Sequence, residues 1–184
     1  MPPRYRRRWA PTLGLALALL GAGAGRAEAP PAQAGVAAIV RVNMLSADVQ
    51  RLKRFYQDAF GFTVSFEGVV GGTAMADVIA RQWSLDPKAR LYTVILRAPD
   101  GDTTLGLTGV VGQRLEALAR PHGAAPRGGD HYMILRVRHI EAVAARLRAM
   151  GAEVWRPMMS VTGGHELGVY DPDGTRLIVE EGAA

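Results

Sequence analysis

Val40-Arg41-Val42-Asn43-Met44-Leu45 leads into an amphipathic run that stops at Gly61, and Phe62-Thr63-Val64-Ser65-Phe66 follows. The pattern returns at Met133-Ile134-Leu135-Arg136-Val137-Arg138, with a second amphipathic run to Gly151 and then Ala152-Glu153-Val154-Trp155. Both copies end alike. Leu91 to Arg97, Pro99-Asp100-Gly101 and Thr103 to Thr108 match Leu167 to Tyr170, Pro172-Asp173-Gly174 and Thr175 to Glu180. Each copy reads strand, helix, strand, strand, turn, strand. A unit of that size cannot close a core alone, so two must pack together. The expected fold is α+β: two paired βαβββ modules, at 36–111 and 131–181, forming a curved mixed sheet around a concave cleft. Together they make a single domain over 36–184.

The helical spans follow from periodicity. Val49, Leu52, Phe55, Tyr56, Ala59 and Phe60 recur on one helical face behind Ser46 and Asp48, which can cap its start. Gly61 suits the left-handed residue that ends such a helix. Ile140, Val143, Ala144, Leu147 and Met150 repeat the pattern before Gly151. Gln113 to Arg120 reads as a short helix, and Pro121 to Asp130 as a joint between the modules. The first module carries about 17 extra residues between its second strand and its turn, within Gly68 to Arg90, including a short helix around Met75 to Trp83. Such an insertion is either a lid over the cleft or an ordinary surface loop.

Composition narrows the function. Hydrophobic residues make up 48% of the 184 and charged residues 21%, enough for a packed core. The absence of cysteine excludes disulfides, thiolate catalysis, cysteine metal sites and a lipoprotein anchor. The pI of about 10.1 is misleading, because Arg4, Arg6, Arg7, Arg8 and Arg26 all lie before Ala29. The remainder is nearly neutral, which argues against a nucleic-acid partner. Those arginines precede the apolar run Leu13 to Leu20, so residues 1–34 read as a signal peptide and linker. Cleavage fits Ala27-Glu28-Ala29 or Ala32-Gln33-Ala34. Arg6-Arg7-Arg8-Trp9 weakly matches a twin-arginine signal, and an uncleaved N-terminal anchor is the alternative. The expected location is periplasmic or secreted, with no stable membrane anchor after cleavage.

The two copies, together with Asp48…Phe55-Tyr56-Gln57-Asp58…Phe60-Gly61-Phe62 and Tyr170-Asp171-Pro172-Asp173-Gly174, resemble the vicinal oxygen chelate superfamily. It includes glyoxalase I, bleomycin-resistance proteins, methylmalonyl-CoA epimerase, fosfomycin-resistance enzymes and extradiol dioxygenases. The resemblance implies the paired-module fold and a divalent metal that polarises two vicinal oxygens. Its ligands would be a His on the first strand of a module and a Glu on the last. The matching positions here are Arg41, Tyr132 and Ile178, and Leu105 to Thr108 offers no carboxylate or imidazole. Arginine stays protonated and cannot ligate a metal. His131 is one residue out of register, which reverses its face, and Glu180 lies about 6–7 Å further along its strand. His122, His139 and His165 read as surface or capping residues.

The expectation is therefore a site without the usual metal, a divalent ion held by His131 and Glu180 being the alternative. Arg41, Asn43, Tyr132 and Glu180 would line the cleft, ringed by Trp83, Trp155, Met158 and Met159. Arg41 either binds an anion or pairs with Glu180 or another acid. Trp155 and the two methionines serve either the pocket or the core. Three functions stay open: a protein that binds a small oxygenated or partly apolar molecule; a lyase, isomerase or dioxygenase, working through metal or through an Arg-Tyr-Glu acid/base set; and an interaction module. The expected partner is a small molecule, and a homodimer is one way of completing the cavity.

Overall fold

The computed structural model describes residues 41–117, 125, 128–156 and 165–182. All of its elements belong to one compact unit, Ala37–Ala184. The first module comprises β1 (Val42–Leu45), α1 (Val49–Phe60), β2 (Thr63–Val70), α2 (Ala74–Gln82), β3 (Leu91–Arg97) and β4 (Thr104–Val110). The second comprises β5 (Tyr132–Val137), α3 (Ile140–Ala149), β6 (Val154–Trp155), β7 (Glu166–Tyr170) and β8 (Arg176–Glu181). Each module makes its own open four-stranded sheet, ordered β1-β4-β3-β2 and β5-β8-β7-β6. The first strand runs parallel to the last in both sheets, and the other neighbours are antiparallel.

The pairings share one phase. Val42 sits opposite Leu105, and Met133 sits opposite Leu177. Arg41 is thus equivalent to Tyr132, Asn43 to Ile134, Gly106 to Ile178 and Thr108 to Glu180. Period-two alternation sends Leu105, Leu107, Val94 and Leu96 to the same side as α1, and Leu167, Val169, Leu177 and Val179 to the side of α3. Both sets and both helices join in one core. The other face of each sheet, termed the outer face below, points away from it.

Helix ends follow their chemistry. The Asp48 carboxylate accepts the Arg51 amide at 2.9 Å, and the Ser46 hydroxyl accepts the Asp48 amide at 3.2 Å. Gly61 closes α1 with φ of 77°, which a side chain would disfavour. His139 starts α3 without a side-chain cap, and the Glu181 carboxylate accepts the Ile140 amide instead, at 3.2 Å. Met150 is 40% exposed and lies outside the helical face assigned to it. Residues 113–117 are not helical, which corrects the short helix expected there; 118–120 lie outside the described residues.

Among the described residues two hydrogen bonds link the start of α1 and its buried face to the β7–β8 turn, and in one of them the Ala47 amide donates to Asp173 Oδ1 at 3.3 Å. The Tyr56 hydroxyl of α1 donates to Asp171 Oδ2 in the β7–β8 turn at 3.0 Å. The other oxygen of Asp171 accepts the amides of Asp173 (3.0 Å) and Thr175 (2.8 Å). Tyr56 and Asp171, one from each half of the sequence pattern Phe-Tyr…Asp-Pro-Asp-Gly, therefore act as an inter-module clasp.

Candidate functional site on the outer sheet faces

On the outer face of the first sheet the side chains form transverse rows. The row nearest the β3–β4 turn holds Arg41, Thr104 and Arg97. Arg41 Nε donates to Thr104 Oγ1 at 3.3 Å, and Arg97 Nη1 donates to the Gly101 carbonyl at 3.1 Å. The next row holds Asn43, Gly106, Ile95 and Phe66. The Asn43 carboxamide lies over Gly106, so close that a Cβ there would collide with it. Phe66 is 43% exposed. In the third row, the buried hydroxyls of Thr93 and Thr108 meet at 3.4 Å.

The last row is covered by the insertion. Ala80 of α2 packs on Leu91 and Val110, with Val70, Ile79 and Leu85 around them. Thr73 caps α2 by accepting the Ala76 amide at 3.2 Å. With Ala76 and Ala80 fully buried, α2 is a docked end wall of this face. Trp83 sits at its C-terminal end, partly exposed.

The second sheet carries different chemistry on equivalent positions. Its rows are Tyr132, Arg176 and Tyr170; then Ile134, Ile178, Gly168 and Trp155; then Arg136, Glu180 and Glu166. The Trp155 indole covers Gly168, where any Cβ would strike the ring. Tyr170 lies 5.1 Å from it, and the Arg176 guanidinium carbon is 5.8 Å from the ring centroid. Tyr132 and Ile134 are more than half exposed.

The expected residues thus divide between the two sheets. Arg41 and Asn43 share one outer face with Trp83 near its walled end, while Tyr132, Trp155 and Glu180 share the other. Glu180 does not pair with Arg41. Arg136, on the neighbouring strand at the same level, donates to Glu180 Oε1 through Nε (2.8 Å) and Nη2 (2.6 Å). Met158, Met159 and His122 lie outside the described residues. Sequence reasoning missed Arg97 and Phe66 in the site and Arg136 as the partner of Glu180. Alternation would place each on a face, but only strand register shows what lies beside it.

The residues do not fit the family metal. Arg41, Gly106, Tyr132 and Ile178 occupy the four equivalent ligand positions, and they offer a cation, a bare backbone, a phenol and an alkyl group. A catalytic zinc takes three protein ligands from His, Cys or carboxylates. His131 precedes β5, whose pairing with β8 has no bulge to turn it outward. Among the described residues no three His, Asp or Glu side chains cluster to hold an ion.

Two further polar regions lie off the outer faces. Beside α1, Glu67 accepts from Lys53 (2.8 Å), Gln50 (2.9 Å) and Tyr92. These bonds, led by that of Lys53, pull its carboxyl down to about 2, while burial and then Glu67 push Tyr92 up to about 12. The groups satisfy one another, so the cluster reads as a brace between α1 and the sheet. A groove of about 890 Å³ runs past Asp48, Arg51, Arg114, Glu116 and Asp173. Its charges are of both signs and select no ligand class.

Two βαβββ modules on a shared core, with outer faces bearing polar and aromatic side chains, define a paired-module α+β fold. The model of the Glyoxalase/Bleomycin resistance protein/Dioxygenase superfamily matches residues 38–179, and the chain belongs to that superfamily. Solved structures of the same fold include a glyoxalase family protein from Bacillus cereus (16% identity, TM-score 0.63, covering 82% of this chain and 97% of that one). Another is TnmS3, an antibiotic-binding protein from Streptomyces sp. CB03234 (18%, 0.52, 80% and 98%). A third is a fosfomycin resistance protein, FosX, from Listeria monocytogenes, in complex with Mn(II) and a dihydroxypropylphosphonic acid (10%, 0.55, 81% and 93%). At these identities the likeness is one of fold. No curated protein matches the chain by sequence.

Proposed function

We propose that this chain is an exported small-molecule-binding member of the superfamily that works without the usual family metal. One observation carries the reading: none of the four equivalent ligand positions holds a histidine, cysteine or carboxylate, and the nearby Glu180 carboxylate is already taken by Arg136. What replaces the metal is a set of organic recognition groups, namely guanidinium, carboxamide, phenol and indole. These orient and bind; none is arranged as a nucleophile with its base. TnmS3, described as an antibiotic-binding protein, has the same fold and supports a binding role by analogy alone.

The test is metal content per chain of the mature protein, with thermal stabilisation by a panel of small oxygenated and partly apolar molecules. Metal-free protein that gains stability with a ligand and turns nothing over supports the reading. A stoichiometric divalent ion lost on substitution of His131 or Glu180 overturns it in favour of a metal-dependent lyase, isomerase or dioxygenase. Export rests on residues 1–34 and is tested separately, by fusing them to a periplasm-dependent reporter. Among the described residues no helix is long and apolar enough to cross a membrane.

A further inference from the structure

We infer that the outer face of the first module holds a small organic anion, with an oxyanion head on Arg41 and Arg97 and a short apolar arm over Ile95 towards Phe66. This rests on the binding role proposed above and names its ligand class.

The head follows from unspent donors. A guanidinium carries five N–H donors and no acceptor. Arg41 uses one on the Thr104 hydroxyl and Arg97 one on a backbone carbonyl; neither has a carboxylate partner among the described residues. They flank a single strand, so their backbones stand about 9–10 Å apart. Both long side chains can converge on one anion between them. Two like charges in one row repel each other, and an oxyanion relieves that repulsion while engaging the forks. The Asn43 carboxamide makes no hydrogen bond among the described residues and adds a donor and an acceptor beside Arg41.

The arm follows from the next row. The Asn43 carboxamide covers Gly106, which has no side chain to displace it, so the apolar floor of this row is Ile95 and the exposed Phe66 ring. The third row, the Thr93–Thr108 pair, is already buried, and α2 fills the face beyond. The free length past the arginines is thus one row, about 6–7 Å along the strands. That admits a ring or a few carbons and excludes a long chain. The second module cannot repeat the arrangement, because Tyr132, Ile178 and Tyr170 stand where Arg41, Gly106 and Arg97 stand in the first.

Calorimetric titration of the mature full domain with phenylacetate, benzylphosphonate and the neutral phenylacetamide tests this. Phenylacetate or benzylphosphonate should bind at least about tenfold more tightly than phenylacetamide. Arg41→Met and Arg97→Met should each weaken the anion about tenfold or more, with Arg41→Lys intermediate because it keeps charge and loses the fork. Phe66→Ala should weaken phenylacetate and leave acetate unchanged. Unfolding midpoints of all variants check the fold. Equal binding of phenylacetamide would overturn the anionic head while leaving the metal-free binding role intact. Unchanged phenylacetate affinity in Arg41→Met/Arg97→Met would overturn the location. Failure of both anions to bind at millimolar concentration would overturn the inference outright, whatever the metal content.

Discussion

Tyr56→Phe isolates the clasp between the modules. It removes one oxygen and keeps a ring that packs edge-on against Phe55 (5.4 Å) and Phe62 (5.6 Å), so packing is preserved. The lost bond, 3.0 Å long and buried, ends on a carboxylate. Asp171 keeps two backbone donors on Oδ1, but Oδ2 loses the Tyr56 donor. A buried hydrogen bond to a charged group contributes about 1.5–3 kcal/mol. We expect a loss of about 2 kcal/mol, which at this chain length lowers the unfolding midpoint by roughly 4–8 °C. The effect has a pH signature. Burial pushes the Asp171 carboxyl above its ordinary value near 3.8, against the pull of the Thr175 amide and the Tyr56 hydroxyl. Its contribution to stability is therefore fully present below about 3.8 and is lost as pH rises through the folded value. Tyr56, itself held protonated chiefly by burial, limits that loss by donating to the ionised form. Tyr56→Phe should then cost more at pH 7 than at pH 4. Urea denaturation of both single variants and of Tyr56→Phe/Asp171→Asn at the two pH values measures the coupling. A coupling below about 0.5 kcal/mol, or a cost independent of pH, would refute the clasp.

Other outcomes follow from the same geometry. Gly168→Ala forces the Trp155 indole off the sheet and should cost about 1–3 kcal/mol, with a changed near-ultraviolet dichroism spectrum; an unaltered spectrum would show that the ring does not lie there. Leu52→Ala, at a fully buried position of α1, should lose about 2–5 kcal/mol by chemical denaturation. The Glu67 carboxyl should titrate near 2 by NMR, and its contribution to stability is present above about 4.5 and lost as pH falls through about 2; Lys53→Met should return the midpoint towards 4.5. Removing Glu180 by Glu180→Gln leaves Arg136 on an exposed edge, so stability should change by less than about 1 kcal/mol.

The architecture was legible because it rests on periodicity. Strand alternation at Val42 and Met44, the α1 face and the turn glycines each encode a local choice, and each occurs twice. The insertion was visible as extra length, and its helix as a short pattern. The non-helical course of 113–117 was missed because so short an apolar pattern does not offset the cost of helix nucleation, and Leu115 packs on the Ala80–Leu91–Val110 cluster without one.

The site was only half legible. Alternation alone placed Arg41 and Asn43 on one face and showed that the family ligand positions hold no metal-binding side chain. Those are properties of single strands, where period two fixes direction. Partnership is different, since it depends on which strands lie side by side and at what level. Glu180 pairs with Arg136 across the parallel β5–β8 register, 44 positions away in sequence. Arg97 comes level with Arg41 only because β4 lies between β1 and β3. Whether α2 covers the outer sheet face or stands clear of it was likewise decided by packing, through Ala80 against Leu91 and Val110. The sequence by itself determined the duplicated modules, the faces of their strands and which residues stand at the family's ligand positions, because these follow from local geometry. Tertiary structure alone decided which charges meet and how far the open face extends, because those depend on contacts between segments distant in the chain.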